Sequence, residues 1–571
     1  MLKKYNDKFL DLLVEERVLT EDDKGNLVKK FDNNASEIFE FLIEGGAASR
    51  ELMAKLWGDS LDKAYIELGR TMMQEELLDY LPSDFARKNY LLPLYKFGDV
   101  ITVATSDPEN QMAMQKLEEI YGCKISTVFA LPEDLEDTLE ITFQDTSKVD
   151  EFVNKITVDS LFKGTSKITA GQLQRMAGDQ AIIELVRAVM LIGIKEGASD
   201  IHIEPQEKFT QIRYRIDGVL QTLLKLDLAV LPGILSRLKV MSNLDITERR
   251  LPLDGRAVLK LKNRSIDFRI STTPSIYGEK AVLRILGQKD SRSVPSLTDL
   301  NFSKFIYERL SKIMENPNGV FFVTGPTGSG KTTTLYSLLK YLNSPNVNIM
   351  TIEDPVEYRL PGLTQVQVNQ DVGLGFTNAL RSFLRQDPDI ILIGEIRDIE
   401  TARISAQAAL TGHLVLATMH TNDSMQAITR LLEIGVQPFL VAPSMIGVMS
   451  QRLVRQICDH CKEPYELTPE EINEHFNDWD GVTTVTFYRG AGCPRCHGSG
   501  YRGRLAIHEL LIINTELRKV IGEGASILEI KDFTKKMNFR NLRYDGFKKI
   551  LRGLTTLEEL NRVTIAEDAL E

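Results

Sequence analysis

Apolar positions change their spacing along the chain, and each change predicts a change of fold class. The first ~75 residues carry helical spacing, as in "ASEIFEFLIEGG" and "LDKAYIELGRTMM", interrupted by the polar stretch "TEDDKGNLVKKFDNN". Strand-like runs at 100–104 and 124–129 then alternate with helical ones. We therefore expect residues 1–145 to form a helical module followed by a small α/β unit.

The middle of the chain predicts a linker and then an α+β domain. The polar segment that begins "QDTSKVDEFVNK" places the linker at 146–177. One apolar helical stripe follows and stops before Gly197; its members are Ile182, Ile183, Val186, Val189, Met190 and Ile194. The alternating runs "QIRYRIDGVL", "SIDFRISTTP" and "EKAVLRIL" are typical of short strands, which gives an α+β domain at 178–290.

The last part of the chain, 291–571, repeats strand, turn and helix, which is the pattern of a parallel sheet. With 571 residues, of which 43% are hydrophobic, the chain is long enough for several cores. The fold class is therefore multidomain, with α+β and parallel α/β parts.

Charge and hydropathy narrow the classes of function. A net charge of -11 and 7% aromatic residues argue against a nucleic-acid-binding surface. The start, "MLKKYNDKFLDLLVEERVL", has no signal-peptide core, and apolar runs such as "FLVAPSMIGVM" are shorter than the ~20 residues that span a bilayer. We expect a cytoplasmic protein whose contact with a membrane is peripheral only.

The segment "GVFFVTGPTGSGKTTTLYSLLKYLN" has the spacing G-x4-G-K-[ST] between an apolar strand and a helix. Glycines there let successive backbone N–H groups point at a phosphate, and the helix N-terminus favours negative charge. Lys331 is predicted to bridge the β- and γ-phosphates of ATP, and Thr332 to bind Mg²⁺. The candidate nucleotide-binding residues are Gly325, Pro326, Thr327, Gly328, Ser329, Gly330, Lys331, Thr332 and Thr333.

Three further apolar strands end in polar residues that belong in the same crevice, since the carboxyl ends of parallel strands meet there. "VNIMTIED" ends in Glu353 and Asp354, "DIILIGE" in Glu395 and "LVLATMH" in His420. Glu395 stands where many P-loop enzymes have a metal-binding Asp, and is predicted to hold the metal through water or to orient the attacking water. Glu357, in "EDPVEY", is an alternative base, and the sequence does not decide between them. Glu353 and Asp354 are also open to a structural role.

Two CxxC pairs predict a metal site. Cys458 and Cys461, with Cys493 and Cys496, complete a tetrahedral thiolate shell suited to Zn²⁺. A redox-active dithiol is the competing interpretation, but the turn residues beside each pair favour structural zinc.

The order of "GPTGSGKTTTLY", "TIEDPVEY", "LRSFLRQDPDIILIGEIRD" and "TGHLVLATMHTND" resembles the secretion ATPase superfamily that powers type IV pilus assembly and type II secretion. These four blocks are similar to its Walker A, Asp box, atypical Walker B and His box. "ASDIHIEP", "RYRIDGVL" and "FRISTTPSIYGEKAVLRIL" resemble its PAS-like N2 domain, and the tetracysteine segment, 455–505, its metal-binding insert. The resemblance covers 178–571 and, more loosely, the N-terminal domain.

The resemblance implies a homohexameric motor with a RecA-like ATPase domain, in which ATP lies between that domain and the N2 domain. It also implies that five arginines act on the phosphates: Arg269 and Arg284 from the N2 domain, and Arg381, Arg385 and Arg397 from the ATPase domain. A guanidinium fork suits this work because it neutralises charge on phosphoryl oxygens.

The function implied is hydrolysis of ATP, with Mg²⁺ and structural Zn²⁺, to drive type IV pilus assembly at the inner face of the bacterial inner membrane. The partners implied are an inner-membrane platform protein and other machinery components, docked through the N-terminal domain, with no nucleic acid. Type II secretion is the alternative, and a RecA-like nucleic-acid translocase is a weaker one. Some relatives bind cyclic di-GMP through an Arg-Leu-Gly-initiated motif; here only "ELGRTMM" is near, which disfavours that ligand.

Overall fold

The computed structural model describes residues 6–31, 34–71, 73–144, 170–286, 294–468, 486–537 and 539–564, together with residues 149, 470 and 472. The chain divides into two compact units, Met1–Gly287 and Gln288–Glu571. No helix in these ranges is both long and apolar enough to cross a membrane.

The first unit opens with four helices packed around Trp57, whose ring lies 5.5 Å from Phe9, 5.6 Å from Phe39 and 5.5 Å from Phe129. The helices are α1 (Asn6–Glu15), α2 (Glu21–Lys30), α3 (Ala35–Glu44) and α4 (Arg50–Ser60). Burying large aromatic side chains supplies most of the stability of so small a module.

Two predictions for this module are wrong. The polar stretch after Thr20 does not interrupt the helices but forms α2, because Thr20 and Asp23 make a capping box that satisfies the first backbone N–H groups. The stretch "LDKAYIELGRTMM" has helical spacing, but its described residues, 61–71 and 73, do not form an α-helix. It runs beside Phe129, whose N–H donates to Ala64 O (2.9 Å) and whose carbonyl accepts from Ile66 N (2.8 Å).

A three-stranded sheet follows, in the order β1-β2-β3, with β1 antiparallel to β2 and β2 parallel to β3. Its strands are β1 (Leu91–Phe97), β2 (Val100–Thr105) and β3 (Lys124–Phe129), flanked by α5 (Ser83–Asn89), α6 (Gln111–Tyr121) and α7 (Pro132–Thr142). Both predicted strand runs are confirmed. The buried Asp137 of α7 accepts hydrogen bonds from the backbone of Lys262 (2.7 Å) and Asn263 (3.0 Å), which fixes this sheet's last helix to the next domain.

That next domain is a fully antiparallel six-stranded sheet, in the order β6-β5-β4-β9-β8-β7, with helices against one face. The predicted helical stripe is confirmed in the helix Gln180–Lys195 (α9), and Gly197 has the left-handed conformation expected beyond a helix end (φ 62°). The strands are β4 (Asp200–Pro205), β5 (Phe209–Ile216), β6 (Val219–Asp227), β7 (Leu253–Lys260), β8 (Ser265–Ser275) and β9 (Gly278–Leu286); the helices are α8 (Ala170–Ala177), α9 (Gln180–Lys195) and α10 (Leu231–Met241).

The predicted linker, 146–177, falls mostly outside the described residues. Its last part is helix α8, on which Leu173 and Met176 are buried. The proposed domain boundaries otherwise stay predictions.

The second unit contains the predicted parallel sheet, seven strands in the order β12-β11-β13-β14-β10-β15-β18. All neighbours are parallel except β15 and β18, which form a long antiparallel ribbon. The strands are β10 (Gly319–Thr324), β11 (Ile349–Glu353), β12 (Thr364–Gln367), β13 (Ile390–Ile393), β14 (Leu414–Met419), β15 (Met445–Ile457) and β18 (Tyr501–Ile512); β16 (Lys462–Tyr465) and β17 (Phe487–Gly490) form a separate hairpin-like pair.

Helices cover both faces of this sheet, so its central strands are buried throughout, as parallel sheets require. The helices are α11 (Lys304–Met314), α12 (Lys331–Leu342), α13 (Phe376–Phe383), α14 (Ile399–Leu410), α15 (Ser424–Glu433), α16 (Pro438–Ser444), α17 (Thr515–Gly522), α18 (Ile527–Lys536), α19 (Leu542–Leu551) and α20 (Leu557–Val563). The strands β10, β11, β13 and β14 lie side by side, and their carboxyl ends line one edge.

Candidate functional site

The loop between β10 and α12 has a backbone that only glycine accommodates easily. Gly325, Gly328 and Gly330 have φ values of 141°, 80° and 87°, in the left-handed region. A Cβ at Gly325 would lie 2.5 Å from Gln451 O, so a side chain there is also excluded by space. Because the glycines have no side chains, a ligand can approach the backbone of the loop closely.

Lys331 folds back over this loop. Its Nζ donates to Gly325 O (2.7 Å) and Pro326 O (3.0 Å), and its side chain is buried. Burial lowers the pKa of Lys331 to about 8, against the opposing effect of the Glu395 charge. A bound anion would stabilise the charged form of this buried ammonium group more than the two carbonyls do.

The rest of the loop fits a phosphate. No side chain caps the N-terminus of α12 at Gly330, so its first N–H groups face the loop without a side-chain partner. The hydroxyl of Ser329 is buried without a hydrogen-bond partner in the described part of the chain. Thr327 and Gly328 are exposed, as is Thr332 in the first turn of α12, while Pro326 and Thr333 are half-buried. A nucleotide phosphate therefore has access to backbone amides, a lysine and a hydroxyl.

Glu395 follows β13, and its carboxylate lies close enough to Lys331 of this loop to affect the pKa of the lysine. Its Oε1 lies 2.6 Å from Arg397 Nη2 and its Oε2 3.5 Å from His420 Nε2. Burial and the positive charge of Lys331 lower the pKa of His420, with Glu395 acting in the opposite sense. Lys331, Glu395, Arg397 and His420 thus form one cluster. The strand ends predicted the positions of Glu395 and His420, and the loop motif predicted that of Lys331.

Close packing between the ends of β11 and β13 explains why a glycine, Gly394, precedes Glu395. Gly394 N donates to Ile352 O (2.8 Å), and a Cβ at Gly394 would lie 3.3 Å from Glu353 Cα. A Cβ at this position would therefore fit only after a small shift of the end of β11. The Gly-Glu sequence therefore keeps the two strand ends close.

Glu353 is buried in a hydrogen-bond network of its own. It accepts from the hydroxyls of Tyr336 and Thr351, and Gln365 Nε2 lies 3.5 Å from Oε1. Burial raises its pKa, while these hydrogen bonds oppose the rise. Its contacts agree with the structural alternative. Glu357 is half-buried, with its backbone N–H donating to Tyr336 OH (3.3 Å), and Asp354 is exposed.

The predicted arginines occupy different places. Among the three in the second unit, Arg397 contacts Glu395. Arg381 pairs with Glu400 of α14, and Arg385 Nη1 donates to Arg381 O (2.7 Å). In the first unit, Arg284 pairs with Asp200 (2.9 Å) and lies opposite Arg269 on the neighbouring strand, so both sit on the exposed side of the sheet.

Sequence reasoning missed Gln451 and Arg452 on β15. The buried amide of Gln451 contacts the phosphate loop, and Arg452 Nη2 donates to the carbonyl (3.1 Å) and side chain (3.0 Å) of Asn422, just after His420. The signal was available, because "SQR" interrupts the apolar run of a strand that the sheet buries.

The four cysteines of the two CxxC pairs come together, with all four Sγ atoms within 4.8 Å of one another. Cys458 to Cys493 and Cys461 to Cys496 are both 3.8 Å, and Cys493 to Cys496 is 3.6 Å. Zinc at about 2.3 Å from four tetrahedral sulfurs sets their separations at about 3.8 Å, whereas a disulfide needs about 2.05 Å.

The sulfur shell is supported by backbone donors. Cys493 N and Gly500 N each lie 3.2 Å from the Sγ of Cys496. Although burial raises the pKa of Cys496, these N–H groups lower it to about 6. The residues present therefore fit a thiolate-bound metal ion, at the end of the β15–β18 ribbon.

The chain matches two family models. The model described as type II/IV secretion system protein matches residues 175–562, and the MshEN domain model matches residues 61–148.

Three curated proteins illustrate the similarity. The type IV pilus assembly ATPase PilB of Myxococcus xanthus is 38% identical over 96% of this chain and 97% of its own length. The type II secretion system protein E of Dickeya dadantii is 41% identical over 86% of this chain and 98% of its own. The PilB of Thermus thermophilus is 40% identical over 92% of this chain, which spans 58% of that longer protein.

Proposed function

This chain belongs to the type II/IV secretion system protein family, and we propose that it is a motor ATPase that drives type IV pilus assembly. The observation that carries the choice is the extent of the match. Similarity to the pilus assembly ATPase of Myxococcus xanthus runs over 96% of the chain, N-terminal region included, against 86% for the type II secretion protein of Dickeya dadantii. Type II secretion is the alternative, favoured by the higher identity of 41%.

The substrate we propose is ATP, bound as a P-loop nucleotide at the loop from Gly325 to Thr333 in a RecA-like domain. Backbone N–H groups of the loop and the start of α12 would hold the β-phosphate, and Lys331 would leave its carbonyl partners to bridge the β- and γ-phosphates. Thr332 would hold Mg²⁺, which supplies charge neutralisation on the phosphates. Its exposure leaves its hydroxyl accessible to such an ion.

We assign activation of the attacking water to Glu395. Its carboxylate is flanked by Arg397 and His420, and it is close enough to Lys331 to oppose the fall in that lysine's pKa. Arg397 can neutralise charge that develops on the phosphoryl oxygens. Glu357 is the second candidate for the base. Arg269, Arg284, Arg381 and Arg385 remain proposed phosphate contacts, and Glu353 remains a proposed catalytic acid whose contacts favour a structural role.

The tetracysteine site is proposed to hold Zn²⁺ as a structural staple. Four thiolates saturate zinc and leave no open position for chemistry. The ion would hold together the segment that follows β15 and the segment that precedes β18, two strands of the ATPase sheet.

We propose a homohexamer that works in the cytoplasm at the inner face of the bacterial inner membrane. The proposed partners are an inner-membrane platform protein and other components of the pilus machinery, docked through the N-terminal domain. Membrane contact would then be peripheral, and no nucleic acid is required.

The test of this function is genetic and biochemical together. In the organism that encodes the chain, deletion of the gene should abolish surface pili, and complementation with Lys331→Ala should fail to restore them. A secretion assay on the same strains separates the alternatives, because loss of exported proteins with pili intact would favour type II secretion. Turnover per subunit should also fall on dilution to monomers; constant turnover would contradict catalysis by a ring.

A further inference from the structure

Gln451 is a buried polar residue on β15 for which no motif accounts. Its side chain is 1% exposed, and both ends of its amide are engaged by the phosphate loop and the helix that follows it. Nε2 donates to Ser329 O (2.6 Å), and Oε1 accepts from the hydroxyl of Thr334 (2.8 Å). A carbonyl can only accept, which fixes the orientation of the amide.

The loop packs closely against Gln451. A Cβ at Gly330 would lie 2.9 Å from Gln451 Nε2, and a Cβ at Gly325 would lie 2.5 Å from the backbone carbonyl oxygen of Gln451. The side chain of Gln451 therefore fills the space beside Gly330, and its backbone fills the space beside Gly325. Such close contact from a neighbouring strand fixes the loop against the sheet.

The bond to Ser329 O has a consequence for phosphate binding. A trans peptide is planar, so its C=O and N–H point in opposite directions. When Gln451 holds the carbonyl of the Ser329–Gly330 peptide on the β15 side, the Gly330 N–H must point away from β15. That direction is the one in which the loop presents its amides to a phosphate.

We propose that Gln451 is a positioning residue for nucleotide binding, which orients the Gly330 amide through the Ser329 carbonyl. This inference rests on the proposed function, because it needs the loop to bind phosphate. Gln451 does not touch the reacting atoms; it acts through the loop. Cys458, the first cysteine of the metal site, directly follows Ile457, the last residue of this strand.

The main test compares Gln451→Met with wild type. Methionine matches the length of glutamine but offers no donor to Ser329 O, so the loop peptide is free to rotate. We expect the Kd of a fluorescent ADP analogue to rise about tenfold, the amount that losing a buried hydrogen bond of about 1.4 kcal/mol produces. KM for ATP should rise with it. The melting temperature without nucleotide should change by a few degrees at most, and zinc content should stay the same.

The matched control is Gln211→Met. Gln211 Nε2 also makes a side-chain hydrogen bond from a β-strand, to Thr222 Oγ1 (2.6 Å), but on the antiparallel sheet of the first unit. We expect its nucleotide affinity to equal that of wild type. An equal loss in both variants would overturn the proposal, since the effect would then be general.

Gln451→Glu gives a second readout that a purely structural role would not produce. A neutral carboxyl group has one O–H donor and one acceptor and so can replace the amide, whereas a carboxylate cannot donate to Ser329 O. The ratio of variant Kd to wild-type Kd should be large at pH 8 and fall towards one below about pH 6, because burial raises a carboxyl pKa. A ratio independent of pH would contradict the assigned hydrogen bond.

Lys331→Ala separates this inference from the proposed function. If wild type binds ADP, Lys331→Ala does not, and Gln451→Met binds as tightly as wild type, only the role of Gln451 is wrong. If wild type itself binds no ADP, the proposed function is wrong as well.

Discussion

Arg397 lies against Glu395, with Nη2 2.6 Å from Oε1, while His420 approaches the other oxygen of the same carboxylate to 3.5 Å. The arginine is exposed and the carboxylate is mostly buried, so the ion pair lies at the surface, at the end of β13. A carboxylate fixed from two sides next to Lys331 is suited to orient a water molecule.

The first prediction concerns the acid that activates water. Glu395→Gln should bind ATP with nearly wild-type affinity but hydrolyse it at least about 100-fold more slowly, the usual contribution of a general base. Steady-state turnover and nucleotide binding measured on the same preparation test this. Glu357→Gln is the parallel variant, and the roles are exchanged if it, and not Glu395→Gln, loses turnover.

The second prediction concerns the pH dependence of nucleotide affinity. The pKa of Lys331 is about 8 without ligand, lowered mainly by burial. A bound phosphate stabilises the charged form and raises that pKa, so binding takes up a proton above pH 8. The Kd for ADP should therefore rise with pH above 8, by up to about tenfold per unit. Calorimetry in two buffers with different ionisation enthalpies should detect the proton uptake.

The control for this pH effect is Lys331→Arg. A guanidinium stays charged over this range, so its Kd, although weaker, should not follow the same pH profile. An identical profile in both proteins would show that another group titrates.

The third prediction concerns the four cysteines. Purified protein should contain one zinc ion per chain, and Cys458→Ser should lose it and melt roughly 5 °C or more below wild type. Cys123→Ser is the matched control, because Cys123 is a buried free cysteine in the first unit. Full zinc content in Cys458→Ser would contradict a four-thiolate site.

The fourth prediction concerns the C-terminal helix α20. Its fully buried Glu559 accepts from Arg455 of β15 (2.7 Å) and from Arg562 (2.7 Å). Removing one partner leaves a buried charge incompletely paired, so Arg455→Met should lower the free energy of unfolding by about 3 kcal/mol. Urea unfolding of the second unit tests this. Lys304→Met, at an exposed pair on α11, should cost under about 1 kcal/mol.

The contribution of the Glu559 carboxylate to stability depends on pH. Despite burial, which acts the other way, the two arginines lower the pKa of Glu559 to about 2, below its value in an unfolded chain. Its contribution to stability is complete above about pH 4.5 and is lost as pH falls towards 2. The stability difference between wild type and Glu559→Gln should therefore shrink below pH 4.5.

The elements and site residues that were predicted correctly are those that depend on local sequence patterns. Strands β2 and β3, helix α9, the parallel sheet and the strand ends bearing Glu395 and His420 were all predictable, because each depends on local periodicity. The phosphate loop was predictable because its glycines, lysine and threonine have fixed spacing.

The errors and omissions depend on interactions between distant residues. The segment after Leu61 has helical spacing, yet backbone hydrogen bonds to Phe129 draw it beside a strand. The polar run "SQR" marks Gln451 as unusual, but its partner is a loop more than a hundred residues earlier in the chain, which no local pattern identifies. The capping box of Thr20 and Asp23, in contrast, was visible in the sequence and was overlooked.

The most direct test of the nucleotide site is a structure of the protein with Mg²⁺ and a nonhydrolysable ATP analogue. We predict the β-phosphate against the backbone N–H groups of Gly328 to Lys331, at about 3 Å, with Lys331 Nζ moved from Gly325 O to the phosphates. An analogue bound elsewhere, with Lys331 still on its carbonyls, would contradict the proposed site.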